Sequence, residues 1–332
     1  MDFPFPLVLC DIGGTNARFA LKSAPDAPLL PGPPVKTADH RSFEAALAAA
    51  VAGFGARPRS VIACAAGPVE GRCVRLTNAG WTVEGEAVAR ELGLDQGLLL
   101  NDFEAQALAL PALREDWTKP VGAAPPAARG TRLVIGVGTG LGAAALVNVE
   151  GRWLALPTEA GHVDFAPVGA EEAAIWPHLP IGALGRVSAE TVLSGAGIAR
   201  LHQARCAALG YGPSPLDEIG VVAEALATPG GDAARTLGLF WSLVARCAGD
   251  LSLAFLAKGG VTFSGGVLPK LAPFLDEAKF RARFEDKAPF AELMTTIGTR
   301  LVVAGDVVLP GMAAIAAAPS AYVLDYVARA WR

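Results

Sequence analysis

The sequence predicts an α/β protein made of two related halves around a cleft. In the first 110 residues, short apolar runs typical of strands alternate with longer segments of helical periodicity. An apolar hairpin with Gly14-Thr15 in its turn recurs about 124 residues later with Gly138-Thr139, which indicates two similar units. A length of 332 residues also fits roughly two domains of about 150 residues each.

The composition excludes several classes of protein. With 52% hydrophobic and 18% charged residues the chain is not expected to be disordered, and a net charge of −4 offers no basic excess for nucleic acid. Five cysteines without a C-x-x-C pair favour neither a disulfide framework nor a zinc site, as is typical of a reducing compartment. No basic stretch precedes the first apolar run, and glycine or proline interrupts the runs at 133–149 and 307–324. We therefore expect a cytoplasmic protein without a signal peptide or membrane span.

Strands and helices alternate in the first half of the chain. Apolar runs predict strands over 7–11, 18–21, 61–65 and 98–100, and helical periodicity predicts helices over 43–54 and 103–110. The second helix is expected to stop at Pro111, because proline cannot continue it. Five prolines between residues 23 and 34 predict a connector there.

The second half repeats this pattern after a stretch at 121–131 that is rich in alanine, proline and glycine, as domain boundaries often are. Apolar runs at 133–137 and 143–149 predict two strands around a glycine turn, and a run at 260–263 predicts a strand that leads into Gly265-Gly266. The region 191–256 has helical periodicity.

Three glycine turns are candidate phosphate sites, because backbone N–H groups can approach an anion closely where side chains are absent. The first turn also offers Asp11, whose carboxylate suits a hydrated Mg²⁺ that bridges phosphates. Each turn alone could equally be an ordinary hairpin turn, but three together favour nucleotide binding. No P-loop motif is present, and the glycines at 138–142 open onto a strand rather than the helix that a dinucleotide fold requires.

Asn101-Asp102 lies where a predicted strand ends and a helix begins, a usual position for site residues in α/β sheets. Asp102 could take the proton of an alcohol during phosphoryl transfer, or it could be the helix N-cap. Arg18 follows the first turn closely, although strand alternation could point it away.

Further polar side chains are candidate ligands of a polyol. Glu159, His162 and Asp164 fall within six residues and could form a metal site, a polar surface turn or a set of sugar contacts. Glu190 lies in the first turn of a predicted helix, where it would also interact favourably with the helix dipole. Asn78 precedes Trp81 by three residues, an amide near an aromatic ring that would suit a sugar face.

Several segments together resemble the bacterial glucokinase family: DIGGTNARFAL (11–21), NDFEA (101–105), GVGTGLG (136–142), LPTEAGHVDFAP (156–167), RVSAETVLSGAG (186–197), FSGGVLPKL (263–271) and FRARFEDKAPF (280–290). They occur in the order of the family and cover nearly the whole chain. The resemblance implies an actin-like ATPase (ribonuclease H-like) fold, with a small domain over 1–115 that the segment 304–332 rejoins and a large domain over 116–303. It also implies a homodimer. The activity that it implies is the phosphorylation of D-glucose to D-glucose 6-phosphate by ATP, as the first step of glycolysis.

The resemblance also implies roles for single residues. Asp102 is similar to the general base for the sugar 6-hydroxyl, and Asn101, Glu159, His162 and Glu190 to the ligands of the other hydroxyls. The residues that match the ATP-binding motifs are Asp11, Gly13, Gly14 and Thr15 in the first phosphate loop, Gly138, Thr139 and Gly140 in the second, and Gly265 and Gly266 in the adenosine motif. Asp11 would hold the Mg²⁺ of Mg-ATP through water. Thr158 and Ala160 stand where the family often has glycines, and the tail at 309–316 lacks the glycine-rich pattern usual near the adenosine pocket.

Three alternative functions are compatible with the same fold. A kinase for mannose, fructose or an N-acetylhexosamine would differ only in its hydroxyl ligands. A sugar-responsive repressor would need a helix-turn-helix before the first glycine turn, and the ten residues before Asp11 are too few for one. A sugar sensor without activity would keep the pocket and lose the base, which the presence of Asp102 argues against.

Overall fold

The structure is a computed structural model that describes residues 2–76, 80–122, 129–181 and 185–331. The strands are β1 (Leu7–Ile12), β2 (Asn16–Lys22), β3 (Leu29–Pro31), β4 (Val35–Lys36), β5 (Ser60–Ala65), β6 (Val69–Glu70), β7 (Cys73–Arg75), β8 (Thr82–Glu84), β9 (Gln96–Asn101), β10 (Thr118–Pro120), β11 (Arg132–Val137), β12 (Leu141–Val149), β13 (Arg152–Thr158), β14 (Val261–Ser264), β15 (Thr299–Val302) and β16 (Ala330–Trp331). The α-helices are α1 (Phe43–Phe54), α2 (Gly85–Leu92), α3 (Asp102–Ala109), α4 (Ala170–Ile175), α5 (Ala189–Val192), α6 (Gly195–Ala208), α7 (Glu218–Ala227), α8 (Asp232–Phe255), α9 (Leu268–Leu271), α10 (Glu277–Glu285), α11 (Ala291–Thr295), α12 (Val308–Ala317) and α13 (Tyr326–Arg329).

The described residues form two compact units. The first unit falls within Met1–Arg114, Leu146–Pro157 and Ala304–Arg332. Its main sheet has the strand order β16-β9-β5-β1-β2-β3, with β4 also paired to β2. Strands β1, β5 and β9 are parallel, and β2 and β16 run antiparallel to their neighbours. Because the carboxyl ends of parallel strands meet at one edge of a sheet, Asp11 and Asn101 lie at the same edge.

The second unit falls within Glu115–Ala145 and Thr158–Val303. It contains β10, β15, β14, β11 and the first half of β12, which are neighbours in that order in one sheet, and β11, β14 and β15 are parallel. Helices α5 to α8 and α10 supply most of the apolar residues that pack with the sheet into one core. The parallel pairing of β11 with β14 brings the second and third glycine turns to neighbouring strand ends.

Helix α8 is long and apolar enough to span a membrane by length and composition alone. However, 61% of its most apolar 18-residue window is buried within the protein, and its inward side chains include Leu237, Phe240 and Trp241. This degree of burial is that of a core helix. The apolar run at 133–149 forms the strands β11 and β12. The run at 307–324 forms the ten-residue helix α12 and the residues that flank it.

The predicted elements are confirmed with small shifts of their ends. Helix α1 has the predicted bounds, and its cap is Ser42, whose hydroxyl accepts a hydrogen bond from Ala45 N. The interpretation of 23–34 as a connector is wrong in part, because β3 lies within it and pairs with β2. Pro31 closes that edge strand, and proline is tolerated there because an edge strand has N–H groups that need no partner.

Candidate active site

The first glycine turn links β1 to β2 and is held from both sides. Gly13 N donates to Asn16 O at 2.9 Å, which closes the turn. Thr37, buried in the following segment, donates its hydroxyl to Gly14 O at 2.8 Å and its amide to Thr15 O at 3.0 Å. Thr15 itself is exposed. The turn is therefore a fixed, accessible stretch of backbone.

Asp11 forms an ion pair with Arg18 at the edge of this turn. The two residues are direct partners across the β1–β2 pair, so that their side chains lie on the same face of the sheet. The interpretation that strand alternation points Arg18 away is therefore wrong. Cys64 on the next strand donates its thiol to Asp11 Oδ1 at 3.4 Å, and burial raises the pKa of that thiol well above its ordinary value. Asp11 thus has a cation on one oxygen and a neutral donor on the other.

Helix α3 begins with a capping box in which Asn101, not Asp102, is the N-cap. Asn101 Oδ1 accepts hydrogen bonds from Phe103 N at 3.0 Å and Glu104 N at 3.2 Å, while Glu104 Oε2 accepts one from Asn101 N at 3.3 Å. The alternative interpretation of Asp102 as the N-cap is wrong, because the helix begins one residue earlier than that interpretation needs. Asp102 is instead the first residue of the helix, and its Oδ1 accepts the N–H of Phe103 at 2.9 Å.

The environment of Asp102 raises the pKa of its carboxyl group toward neutral pH. Burial and, to a smaller extent, the nearby charge of Asp11 raise the pKa of Asp102 to about 6, although hydrogen bonds from the backbone and Asn101 oppose the shift. A carboxylate with such a pKa is largely ionised at neutral pH and is a stronger base than an exposed one. This side chain can therefore accept a proton from a hydroxyl group.

Asn101 is engaged at both ends of its side chain. Besides the cap, its Nδ2 donates to Gly67 O at 3.0 Å. A hydrogen bond from the Asn101 side chain also stabilises the Asp102 carboxylate. Asn101 therefore links the cap of α3 to the carboxylate of Asp102.

The second glycine turn is tied to the segment that follows Glu190. Gly138 N donates to Gly140 O at 2.9 Å within the turn, and Gly195 N donates to Gly138 O at 2.8 Å. Glu190 Oε2 accepts a hydrogen bond from Leu141 N at 2.9 Å. Glu190 lies in the first turn of α5, as predicted, but its carboxylate reaches this glycine turn.

The loop that follows β13 presents Glu159 and His162 to solvent. Their side chains are 81% and 55% exposed, and Glu159 Oε2 lies 3.9 Å from His162 Nε2. Thr158 braces the loop, since its hydroxyl donates to Ala143 O at 2.8 Å and accepts from Ala160 N at 3.2 Å. A Cβ at Gly161 would overlap the carbonyl of Leu141, so only glycine fits there. The backbone of Leu141 thereby contacts both this loop and Glu190.

The third glycine turn lies against the second. Gly265 has a φ of +89°, and a Cβ on it would overlap the backbone of Val137, the residue before Gly138. Val267 N also donates to Val137 O at 3.2 Å. The predicted nucleotide residues of these two turns are thus neighbours, and both Gly265 and Gly266 are exposed.

The remaining candidates have simpler outcomes. Asn78 lies outside the described residues. Trp81 is buried: its indole N–H donates a hydrogen bond to His40 O at 3.0 Å, and its ring packs against Phe43. It is therefore a packing residue. Within the described ranges, no three His, Cys, Asp or Glu side chains are grouped as a metal site would need, which removes the metal interpretation of the loop at 159–164.

Sequence reasoning missed the ion pair that anchors α3. Glu104 is buried and forms an ion pair with Arg329 of α13, which lies 225 positions further along the chain. The spacing Asn101-x-x-Glu104 is a capping-box signature and would have identified both the N-cap and Glu104. Nothing local in the sequence identifies Arg329 as its partner.

A family model described as Glucokinase matches residues 8–319. The chain belongs to the glucokinase family. The glucokinase of Sinorhizobium fredii is 42% identical over 333 residues, which covers 100% of this chain and 98% of that relative. A glucokinase from an Antarctic psychrotroph matches with a TM-score of 0.81 at 32% identity, over 94% of this chain and 98% of that one.

A glucokinase from Balamuthia mandrillaris, solved in complex with glucose, matches with a TM-score of 0.79 over 93% of each chain. Its identity of 21% shows a common fold alone. The glucokinase-family chain therefore has the predicted actin-like ATPase fold.

Proposed function

We propose that this chain transfers the γ-phosphoryl group of ATP to the 6-hydroxyl of D-glucose, which yields D-glucose 6-phosphate and ADP. Membership of the glucokinase family supports the reaction. The observation that carries its chemistry is Asp102, a half-buried carboxylate at the start of α3 with a pKa of about 6. In this proposal Asp102 takes the proton of the 6-hydroxyl as that oxygen attacks the γ-phosphorus, and the bond to the β-phosphate oxygen breaks.

The proposed sugar ligands are Asn78, Asn101, Glu159, His162 and Glu190, together with Asp102. The exposed carboxylate of Glu159 and the imidazole of His162 can accept and donate hydrogen bonds to adjacent hydroxyls. A site built for hydroxyl groups rejects analogues that lack one, because its own polar groups are then left unpaired. This is the basis on which we expect the enzyme to distinguish hexoses.

The phosphates of ATP are proposed to bind at the glycine turns, where Thr15, Thr139 and Gly266 are exposed. Because the transition state of phosphoryl transfer is loose, positioning and charge stabilisation provide most of the catalysis. Arg18 adds a cation beside the first turn, although strand alternation had suggested that its side chain could point away. Gly265 and Gly266 are proposed to contact the adenosine.

We also propose that Mg²⁺ enters with ATP. Asp11 offers a carboxylate, and the described residues include no group of three or more His, Cys, Asp or Glu side chains, which fits an ion that keeps most of its waters and binds mainly to phosphates. Such an ion would neutralise charge on the β- and γ-phosphates. Asp11 would hold it through water, in exchange for part of its contact with Arg18.

The biological setting completes the proposal. We infer a cytoplasmic homodimer that starts glycolysis, with a small domain over 1–115 and 304–332 and a large domain over 116–303. Light scattering after gel filtration tests the dimer. A mass of one chain under assay conditions would contradict it.

A sugar panel tests the reaction itself. Formation of the sugar 6-phosphate is followed by phosphorus NMR with Mg-ATP and D-glucose, mannose, fructose or an N-acetylhexosamine. We expect glucose to react with the highest kcat/KM and 6-deoxyglucose, which lacks the acceptor oxygen, to give no product. Faster turnover of another hexose would reassign the substrate, and no product from any sugar would overturn the proposal.

A further inference from the structure

Glu190 touches the second glycine turn directly, although it was predicted as a sugar ligand. Its Oε2 accepts the N–H of Leu141 at 2.9 Å, at the end of that turn. A Cβ placed on Gly140 would overlap the same carboxylate group. The carboxylate therefore packs against the turn with no room for another side chain between them.

The segment that carries Glu190 holds the turn at its other end as well. Gly195 N donates to Gly138 O at 2.8 Å. Between these two contacts the segment is stiffened by a capping box, in which Ser188 N donates to Thr191 Oγ1 at 3.1 Å, and by Leu193 N on Ala189 O at 2.8 Å. A displacement of Glu190 would therefore also displace the turn, because both ends of the turn are hydrogen-bonded to the segment 190–195.

The second oxygen of the carboxylate is available for a ligand. Among the described residues, Glu190 Oε1 accepts no hydrogen bond, and the side chain is only partly buried. An ionised carboxylate has about four acceptor positions, so the bond to Leu141 leaves capacity for a hydroxyl donor.

We propose that Glu190 is a positioning residue that couples the two substrates: Oε2 fixes the second phosphate turn through Leu141, while Oε1 accepts a sugar hydroxyl. This inference rests on the proposed function and deepens it. A bound sugar orders the carboxylate, and the ordered carboxylate holds the turn in the form that receives phosphate. By linkage, the factor by which sugar tightens ATP binding equals the factor by which ATP tightens sugar binding.

The test is a calorimetric titration of a non-hydrolysable ATP analogue with Mg²⁺, without glucose and with saturating glucose. Wild type is expected to bind the analogue at least about fivefold more tightly with glucose, within the usual range of coupling. Glu190→Ala is expected to bind it about tenfold more weakly without glucose and to lose the effect of glucose. Glu190→Gln retains an oxygen for Leu141 N and is expected to restore the glucose-free affinity to within about threefold of wild type.

Glu159→Gln is the matched control, because Glu159 is a proposed sugar ligand whose side chain has no bond to the glycine turn. It is expected to raise the KM for glucose and leave the glucose-free affinity for the analogue unchanged, whereas Glu190→Ala raises the KM for both substrates. Melting curves confirm that each variant is folded. If Glu190→Ala misfolds, Glu190→Asp, which keeps the charge and withdraws it from Leu141, is expected to weaken the glucose-free affinity in the same way.

The possible failures are distinct. Glucose-dependent ADP release by wild type together with an unchanged glucose effect in Glu190→Ala overturns the coupling alone. Equal loss of the glucose effect in Glu159→Gln also overturns it, since the link would not be specific to Glu190. Absence of glucose-dependent ADP release in wild type overturns the proposed function and this inference with it.

Discussion

Asp102→Asn is expected to make the protein more stable while it removes the proposed base. Asparagine has nearly the same shape, and its amide oxygen can still accept the N–H of Phe103. What the substitution removes is a carboxylate that burial and the charge of Asp11 destabilise in the folded state. The site therefore contains a group whose ionisation opposes folding, which is common where function needs a shifted pKa.

The magnitude follows from the pKa of about 6 against an ordinary value of 3.8. Linkage converts that difference into on the order of 3 kcal/mol, which solvent at this partly open side chain reduces to about 1–3 kcal/mol. Because the folded-state pKa is raised, the penalty is absent below pH 3.8, grows between 3.8 and 6, and is complete above pH 6. The gain in stability of Asp102→Asn over wild type should therefore be largest above pH 6.

The assay compares melting temperatures of wild type and Asp102→Asn at pH 5 and pH 7.5. At about 2–4 °C per kcal/mol, we expect the variant to melt on the order of 5 °C higher at pH 7.5 and about half as much higher at pH 5. Asp26→Asn, at an exposed carboxylate in the first unit, is the matched control and should shift neither value. A variant that is less stable than wild type, or equally displaced at both pH values, would refute this account of Asp102.

Four further outcomes are expected. Arg329→Met leaves the buried carboxylate of Glu104 unpaired, so calorimetry should show about 3 kcal/mol less stability and steady-state kinetics a lower kcat, whereas Arg329→Lys should retain part of both. Gly161→Ala forces a Cβ against the carbonyl of Leu141 and should lower kcat/KM for glucose at least about tenfold; unchanged kinetics would show that the loop at 159–162 is not held as described. Gly265→Ala meets both a positive φ and the preceding turn, so the KM for ATP should rise at least about tenfold while the KM for glucose at saturating ATP changes little. Chelation by EDTA should abolish ADP release and added Mg²⁺ should restore it, and full activity in EDTA would refute the role given to the ion.

Most of the fold could be predicted from local patterns. The apolar runs that became β1, β5 and β11 are buried on both faces, and such runs carry a strong signal. Pro111 marked the end of α3, whose last residue is Ala109, because proline cannot continue an α-helix. Strand β3 was missed because its three residues sit among prolines, and only its pairing with β2 makes it a strand.

Side-chain partners were predicted less well, because they depend on register and on contacts between distant segments. The pair of Asp11 and Arg18 needs the exact alignment of β1 with β2, and the bond from Leu141 to Glu190 joins residues 49 positions apart. The resemblance to the family supplied candidate roles for Glu190 and Asn101, but it did not predict that both side chains also accept hydrogen bonds from backbone N–H groups. Those contacts depend on how the chain folds.

The most direct test of the central claim is ADP release with Mg-ATP, measured with and without D-glucose, for wild type and Asp102→Asn. We expect wild type to release ADP only when glucose is present, because water should be a poor substitute for the bound hydroxyl. A general base of this kind contributes about 10²–10⁴-fold, so the variant should lose at least about two orders of magnitude in kcat. ADP release that is independent of glucose, or a variant as active as wild type, would contradict a glucose kinase in which Asp102 is the base.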